Sequence, residues 1–337
     1  MDEAPEVRVR DWLPRTAGLL LGTLALATAF IAAYVGALHQ PHPRDVPVGV
    51  AAGDQPARTI LAAVRDRTNK IKAIEYADPG AADDGLTSRK VYAVLGAAPD
   101  GGLVLTTASA GAPAATDLVI QVLTSAAQQA RVPLRVTDEV PVAGTDPRGL
   151  VPFYLAIGYV LGGYLASTVL GISAGTAPRT LRRAGLRIGA LAVYSVVLGI
   201  VGAVIVGPVL DVWHHDLPAV AGTGMLAAFA AAMVAAAVQG WLGVLGTGLV
   251  ILLLVVLGNP GSGGIYAPEF LPTWLRGMHL WNVPGLATDL IKSAVYFDRR
   301  SIGWPLTGLV LWAVLALAAL LGATRVRGRR ATTGARP

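Results

Sequence analysis

SAGTAPRTLRRAGLR, residues 173–187, decides how the chain is read. It carries Arg179, Arg182, Arg183 and Arg187 and lies between two long uncharged apolar runs. Each run has about the 20 residues that a helix needs to cross the hydrocarbon core of a bilayer. A short basic loop between two such runs belongs on the cytoplasmic side. With this loop inside, the alternation of the whole chain follows.

Working outward, residues 1–16 are polar, and residues 17–38 form an uncharged first span. Val35-Gly36-Ala37 loosely resembles a signal cleavage site, but the apolar stretch is longer than a usual signal core, so a retained helix is expected. Gly18 and Gly22 have the spacing of a close helix contact, as do Gly158 and Gly162 in the second span. Further spans are expected near 188–210, 218–238, 242–258 and 304–321, with Gln239-Gly240-Trp241 as a tight turn between the fourth and fifth. Arg325, Arg327, Arg329 and Arg330 follow the last span, a second inside signal. The expected architecture is a polytopic all-α membrane domain with six transmembrane helices and an inserted extracytoplasmic α/β domain. Both termini are expected in the cytoplasm of a bacterium, the protein lying in its plasma membrane.

Composition agrees. The chain has 337 residues, 54% hydrophobic and only 14% charged, against about 25% charged for a soluble domain. Its net charge of +6 is concentrated beside apolar runs, so orientation in a bilayer accounts for it and nucleic acid is not an expected partner. The absence of cysteine excludes disulfides, thiolate nucleophiles and cysteine metal sites.

The inserted domain, residues 39–149, has nearly balanced charge and reads as β-α-β-β-β-α-β. About 110 residues can bury one modest core. Its polar groups point to no chemistry. Asp83-Asp84 and Asp138-Glu139 are adjacent pairs, and neighbours on a strand face opposite ways. His39 and His42 stand among prolines, and Ser109 and Ser125 lack a nucleophile elbow. In DVWHHDL, residues 211–217, His214 and His215 between two aspartates suggest a metal, but an exposed turn with an interfacial Trp213 explains them as well. Phosphate-binding, dinucleotide-binding and zinc-protease patterns are absent from the sequence. No catalytic residue, cofactor or metal ligand is therefore assigned.

Residues 259–302 break helix with Gly and Pro yet remain apolar through Phe270, Leu271, Trp274 and Leu275. Such a return is expected at the outer interface or dipping into the bilayer behind other helices, because irregular backbone at depth must be shielded. A short amphipathic helix is expected over residues 284–296, with Asp289 and Lys292 three apart. Residues 150–323 thus make a five-helix membrane domain, and 324–337 a tail.

Three segments carry a family resemblance. They are Asp138-Glu-Val-Pro-Val142 with Asp146-Pro-Arg-Gly149 leading to Gly162-Gly163-Tyr164, then Gly258-Asn-Pro-Gly-Ser-Gly-Gly264, and Pro268-Glu-Phe-Leu-Pro272. In this order, along nearly the whole chain, they resemble the ABC-2 type permeases, specifically YhgE/Pip-like membrane proteins. The hydrophilic insert is shorter than in the larger members. The resemblance implies a homodimer around a translocation route for an amphiphilic or lipid-like substrate. It also implies a separate ATPase docked on the inner loop, here Arg179, Arg182, Arg183 and Arg187. The return would line or cap an exit through Asn259, Pro260, Ser262, Gly263, Gly264 and Glu269. The alternative is a non-transporting envelope scaffold that displays the inserted domain.

Overall fold

The computed structural model describes residues 9–333, with side chains from 16 to 329. Residues 1–8 and 334–337, including the polar start of the chain, lie outside the described residues. Helix α1 (Val9–Leu38) presents Leu19, Leu20, Leu21, Leu24 and Ile31 to the surroundings. Among its described side chains, the buried ones lie near its end. Ala33 and Ala37 are buried there, and Tyr34 donates to the Val255 carbonyl at 3.4 Å. Exposed leucines along so long a helix are explained by lipid, not water.

The inserted domain is a five-stranded mixed sheet of order β2-β1-β3-β4-β5. Its strands are β1 (Val46–Ala51), β2 (Ile71–Tyr76), β3 (Ala93–Ala97), β4 (Leu103–Thr107) and β5 (Leu134–Asp138). β1 is parallel to β2 and β3, β3 is antiparallel to β4, and β4 is parallel to β5. Helices α2 (Gln55–Arg65) and α4 (Pro113–Ala130) bury Ile60, Leu61, Val119 and Leu123 with the sheet. The sequence expectation lacked α3 (Pro79–Thr87). PGAADDGLT is poor in helix formers, but Asp78 caps the Ala81 N–H at 2.8 Å with Pro79 just inside the start. The third strand also starts at Ala93, two residues later than the expected Val91.

The core of this domain is not closed by residues 39–149 alone. Ala267 and Phe270 of the return join the cluster of β1, β3 and α4. Phe297 joins Leu86 and Val91 on the other side of the sheet.

Five helices among the described residues are long and apolar enough to cross a membrane. They are α1, α5 (Val151–Ala174), α6 (Leu181–Val204, continued as π-helix over Ile205–Val209), α7 (Leu217–Leu242) and α11 (Gly303–Thr333). α7 is the hub, buried through an alanine run from Ala227 to Ala237. Its neighbours approach through small residues. A Cβ on Gly163 would stand 2.1 Å from the Ala228 carbonyl oxygen, and one on Gly199 would stand 2.5 Å from that of Ala221. Gly202 and Gly224 flank the Tyr159 ring from α6 and α7. With no water to expel between helices in lipid, such close contact supplies the attraction.

The sixth expected crossing, 242–258, takes a shorter form. It has eight α-helical residues in α8 (Val244–Ile251) and six π-helical ones over Leu252–Leu257. At about 1.5 Å per residue this covers about 20 Å, short of a bilayer core. The expected turn at Gln239-Gly240-Trp241 is also displaced. Those residues lie inside α7, and the chain reverses at Gly243 with φ +64°. Gln239 is buried, bonded to Ser167, Thr168 and Thr247, so it stays in the helix.

The return contains short 3-10 turns at Pro260–Ser262 and Pro268–Phe270, then α9 (Thr273–Arg276) and α10 (Val283–Val295). α10 is buried almost throughout, packed among α5, α7 and α11. Trp213, expected at an interface, is buried too and donates to the Tyr296 hydroxyl at 3.1 Å. The two neighbouring histidines diverge. His214 pairs with Asp211 at 3.2 Å, while His215 turns to the Val295 carbonyl.

Candidate functional site

A cavity of about 360 Å³ lies where the sheet domain meets the return. α10 supplies Asp289 and Lys292, one helical turn apart, from an otherwise apolar face. Arg89 reaches in from the turn after α3. Its backbone is left-handed, φ +60°, at the helix end where glycine is favoured. An arginine there costs about 1 kcal/mol of backbone strain, so its side chain has a reason to be present.

That reason is Asp289. The Arg89 guanidinium donates to the Asp289 carboxylate, to the Asp289 carbonyl at 3.1 Å and to Ser293 Oγ at 3.2 Å, and lies over the Phe297 ring. The other Asp289 oxygen meets His279 Nε2 at 3.0 Å. His279 Nδ1 faces the Ser262 carbonyl at 2.7 Å. Both imidazole nitrogens thus face acceptors, an arrangement that suits the doubly protonated ring. Burial lowers the His279 pKa, but the charge and hydrogen bond of Asp289 outweigh it and raise it. Burial likewise works to raise Asp289, and Arg89 and His279 together hold it well below the carboxylate range.

Lys292 is buried and donates to the Gly111 carbonyl at 2.8 Å. Burial, helped by the Arg89 charge and opposed by Asp289 and Asp146, brings its pKa down to about 8. On the opposite wall the Tyr92 hydroxyl donates to Glu269 Oε2 at 2.9 Å. Burial first and Glu269 second raise the Tyr92 pKa well above its usual value. Arg276 stands 4.0 Å from Glu269. Arg89, His279, Lys292 and Arg276 therefore face two carboxylates, leaving the lining donor-rich with excess positive charge. Such a lining suits a compact anionic or strongly polar group.

Of the return residues singled out in the sequence, Glu269 and Gly263 line this cavity. Asn259, Pro260 and Ser262 are buried behind it. Ser262 Oγ donates to the Asn259 carbonyl and accepts from the Gly264 N–H, fixing the turn. Gly264 has no room for a side chain, since a Cβ would meet the Phe153 ring at 2.1 Å. Arg89, His279, Asp289 and Lys292 did not emerge as a group from the sequence. Arg89 and Asp289 are 200 positions apart, and the only local signal was a lone acid–base pair inside an apolar run.

The Arg-rich turn lies at the far end of α5 from the sheet domain. Thr180 caps α6, so Arg182, Arg183 and Arg187 are in that helix and Arg179 is in the turn. Arg179, Arg182 and Arg183 are exposed. Arg187 is not. Its guanidinium points inward to the carbonyls of Ser167, Gly175 and Thr176 and ties the turn to α5. Gly158 and Gly162 also separate. A Cβ on Gly162 would strike Leu198 of α6 at 2.5 Å, so this glycine serves packing within the chain, whereas Gly158 faces open space.

Comparison with protein-family models, with curated proteins and with solved structures gives no match.

Proposed function

We propose that this multi-pass membrane protein is the permease subunit of an ABC-2 type exporter. It passes an amphiphilic substrate along the return, powered by a separate ATPase. The observation that carries the reading is the return itself. Its irregular backbone, 258–264, is shielded by α5 and by the turn around His279, and a cavity rich in hydrogen-bond donors lies beside it. Irregular backbone at membrane depth is tolerated where protein or a water-lined path covers it. The cavity is of headgroup size, so it would take the polar end of an amphiphile while the tail stays among the helices. The sheet domain would then lie outside the cell and the Arg-rich turn inside.

The ATPase would dock on the exposed Arg179, Arg182 and Arg183, with Arg187 holding the turn rigid against α5 rather than touching the partner. A second copy would pack on the face of α5 that bears Gly158, since Gly162 is already occupied. To test this, the tagged full-length chain is purified from its own membranes. It should carry a nucleotide-hydrolysing subunit in constant ratio, and Arg182→Gln with Arg183→Gln should lose that subunit. A preparation with no associated ATP hydrolysis overturns the export reading and leaves the envelope-scaffold reading in its place.

A further inference from the structure

A second cavity, about 740 Å³, opens at the arginine end of the helices. Arg179, Arg183 and Arg187 line it from the turn and α6, and Arg327 lines it from α11. Leu170 and Leu186 form its apolar flank. α11 is fixed there, because Arg327 donates to the Trp241 carbonyl at 3.0 Å and Gly328 lies against the Arg179 carbonyl.

Among the residues that line this cavity, the arginines have no acidic counterpart. No Asp or Glu occurs between Asp146 and Asp211, between Asp216 and Glu269, or after Asp298. The helices α5, α6, α7, α8 and α11 therefore bring no carboxylate to this end. Arg187 is only 8% exposed, and its two terminal nitrogens are satisfied by neutral carbonyls. Its Nε is buried with no partner at all. A buried charged donor without a partner is destabilising unless an acceptor reaches it.

We infer that this cavity binds the phosphate ester of an anionic phospholipid. The cavity lies at the ends of three candidate spans, α5, α6 and α11, where headgroups sit. Ile172 at the end of α5 and Leu181 and Leu186 at the start of α6 are exposed and provide an apolar surface for acyl chains. Four guanidinium groups suit a phosphodiester, which accepts several charge-assisted hydrogen bonds at once. Basic pockets between spans are general sites for such headgroups. The inference does not require an ATPase. Of the three proposed docking arginines, Arg182 alone does not line the cavity, so Arg182→Gln by itself distinguishes partner docking from lipid binding.

The test uses purified full-length chain in neutral detergent. Binding is measured by native mass spectrometry with phosphatidylglycerol, cardiolipin and phosphatidylcholine, and by competition with inorganic phosphate. Phosphatidylglycerol and cardiolipin should bind at least tenfold more tightly than phosphatidylcholine, and the preference should fall with salt. Arg179→Gln with Arg327→Gln should reduce it about thirty-fold. The same pair changed to Lys should keep most of it, which separates charge from folding. Arg182→Gln should leave it unchanged. Equal affinity for the zwitterionic lipid, or retention in the double Gln variant, overturns the site. Competition by inorganic phosphate as effective as by lipid overturns the lipid and leaves a free-anion site.

Discussion

Asp289 of α10 stands between Arg89 of the sheet domain and His279 of the return, one carboxylate oxygen to each. Two hundred positions of chain separate Arg89 from Asp289, and this contact is one of several that tie the sheet domain to the helices, with Lys292–Gly111 and Ser301–Ser88. Breaking a largely buried ion pair from one side leaves the partners charged and unpaired. Asp289→Asn should therefore cost about 3 kcal/mol of stability, read as a lower unfolding midpoint in detergent. Adding Arg89→Gln should recover part of that loss, and a fully additive pair would argue against direct coupling.

Titration of the same cluster should show two signs. The folded-state pKa of His279 is raised, so its contribution is complete below its unfolded value and fades as pH climbs through the higher folded value. The Asp289 contribution, with its pKa depressed, persists far into acid. Lys292 acts oppositely to His279. Its pKa falls from 10.5 to about 8, so the folded state sheds its proton first and stability from this group grows as pH rises between those values. The full gain is on the order of 3 kcal/mol. Urea unfolding from pH 7.5 to 10.5 should show this rise in the parent and not in Lys292→Met.

Two glycines five positions apart on α5 should respond very differently. Gly163→Ala drives a methyl into the backbone of α7 and should cost about 1–3 kcal/mol or more. Gly158→Ala meets nothing and should be neutral. Thermal unfolding of both in one detergent decides it, and equal midpoints would refute the close α5–α7 contact.

Because the sheet core borrows from the return, Phe270→Ala in the full chain should destabilise the sheet domain by about 3 kcal/mol. Residues 39–149 expressed alone should unfold at lower denaturant than the same residues in the full chain. Hydrogen exchange of β1 and β3 amides reports both effects.

The chain contains no cysteine, so sidedness can be read on a silent background. Ser125→Cys on α4 and Ser173→Cys beside the Arg-rich turn are both exposed. An impermeant maleimide on intact cells should label the first and reach the second only after permeabilisation. Labelling of Ser173→Cys in intact cells would invert the proposed orientation.

The sequence made the long spans, the sheet strands and the return legible, because each has its own length and period. It hid α3, whose cap at Asp78 is a better signal than its composition. It misplaced the α7 break because Gln239-Gly240-Trp241 resembles a turn, whereas the reversal depends on the left-handed Gly243. Glu269 was legible as a polar residue in an apolar return. The Arg89–Asp289–His279 cluster was not, since only tertiary packing joins a helix cap, a buried helix and a turn. Arg187 was grouped with its neighbours by sequence, and only its burial sets it apart.

Helix α1 has one consequence of its own. Among the described side chains its contacts gather around Ala33, Tyr34 and Ala37, and the leucines before them are exposed. A rod gripped at one end is a pivoted boom. The gripped end packs beside Leu271 and Leu275. Lateral pressure or a neighbouring protein acting on the other end would then act with leverage on the return, some 30 Å away along the rod.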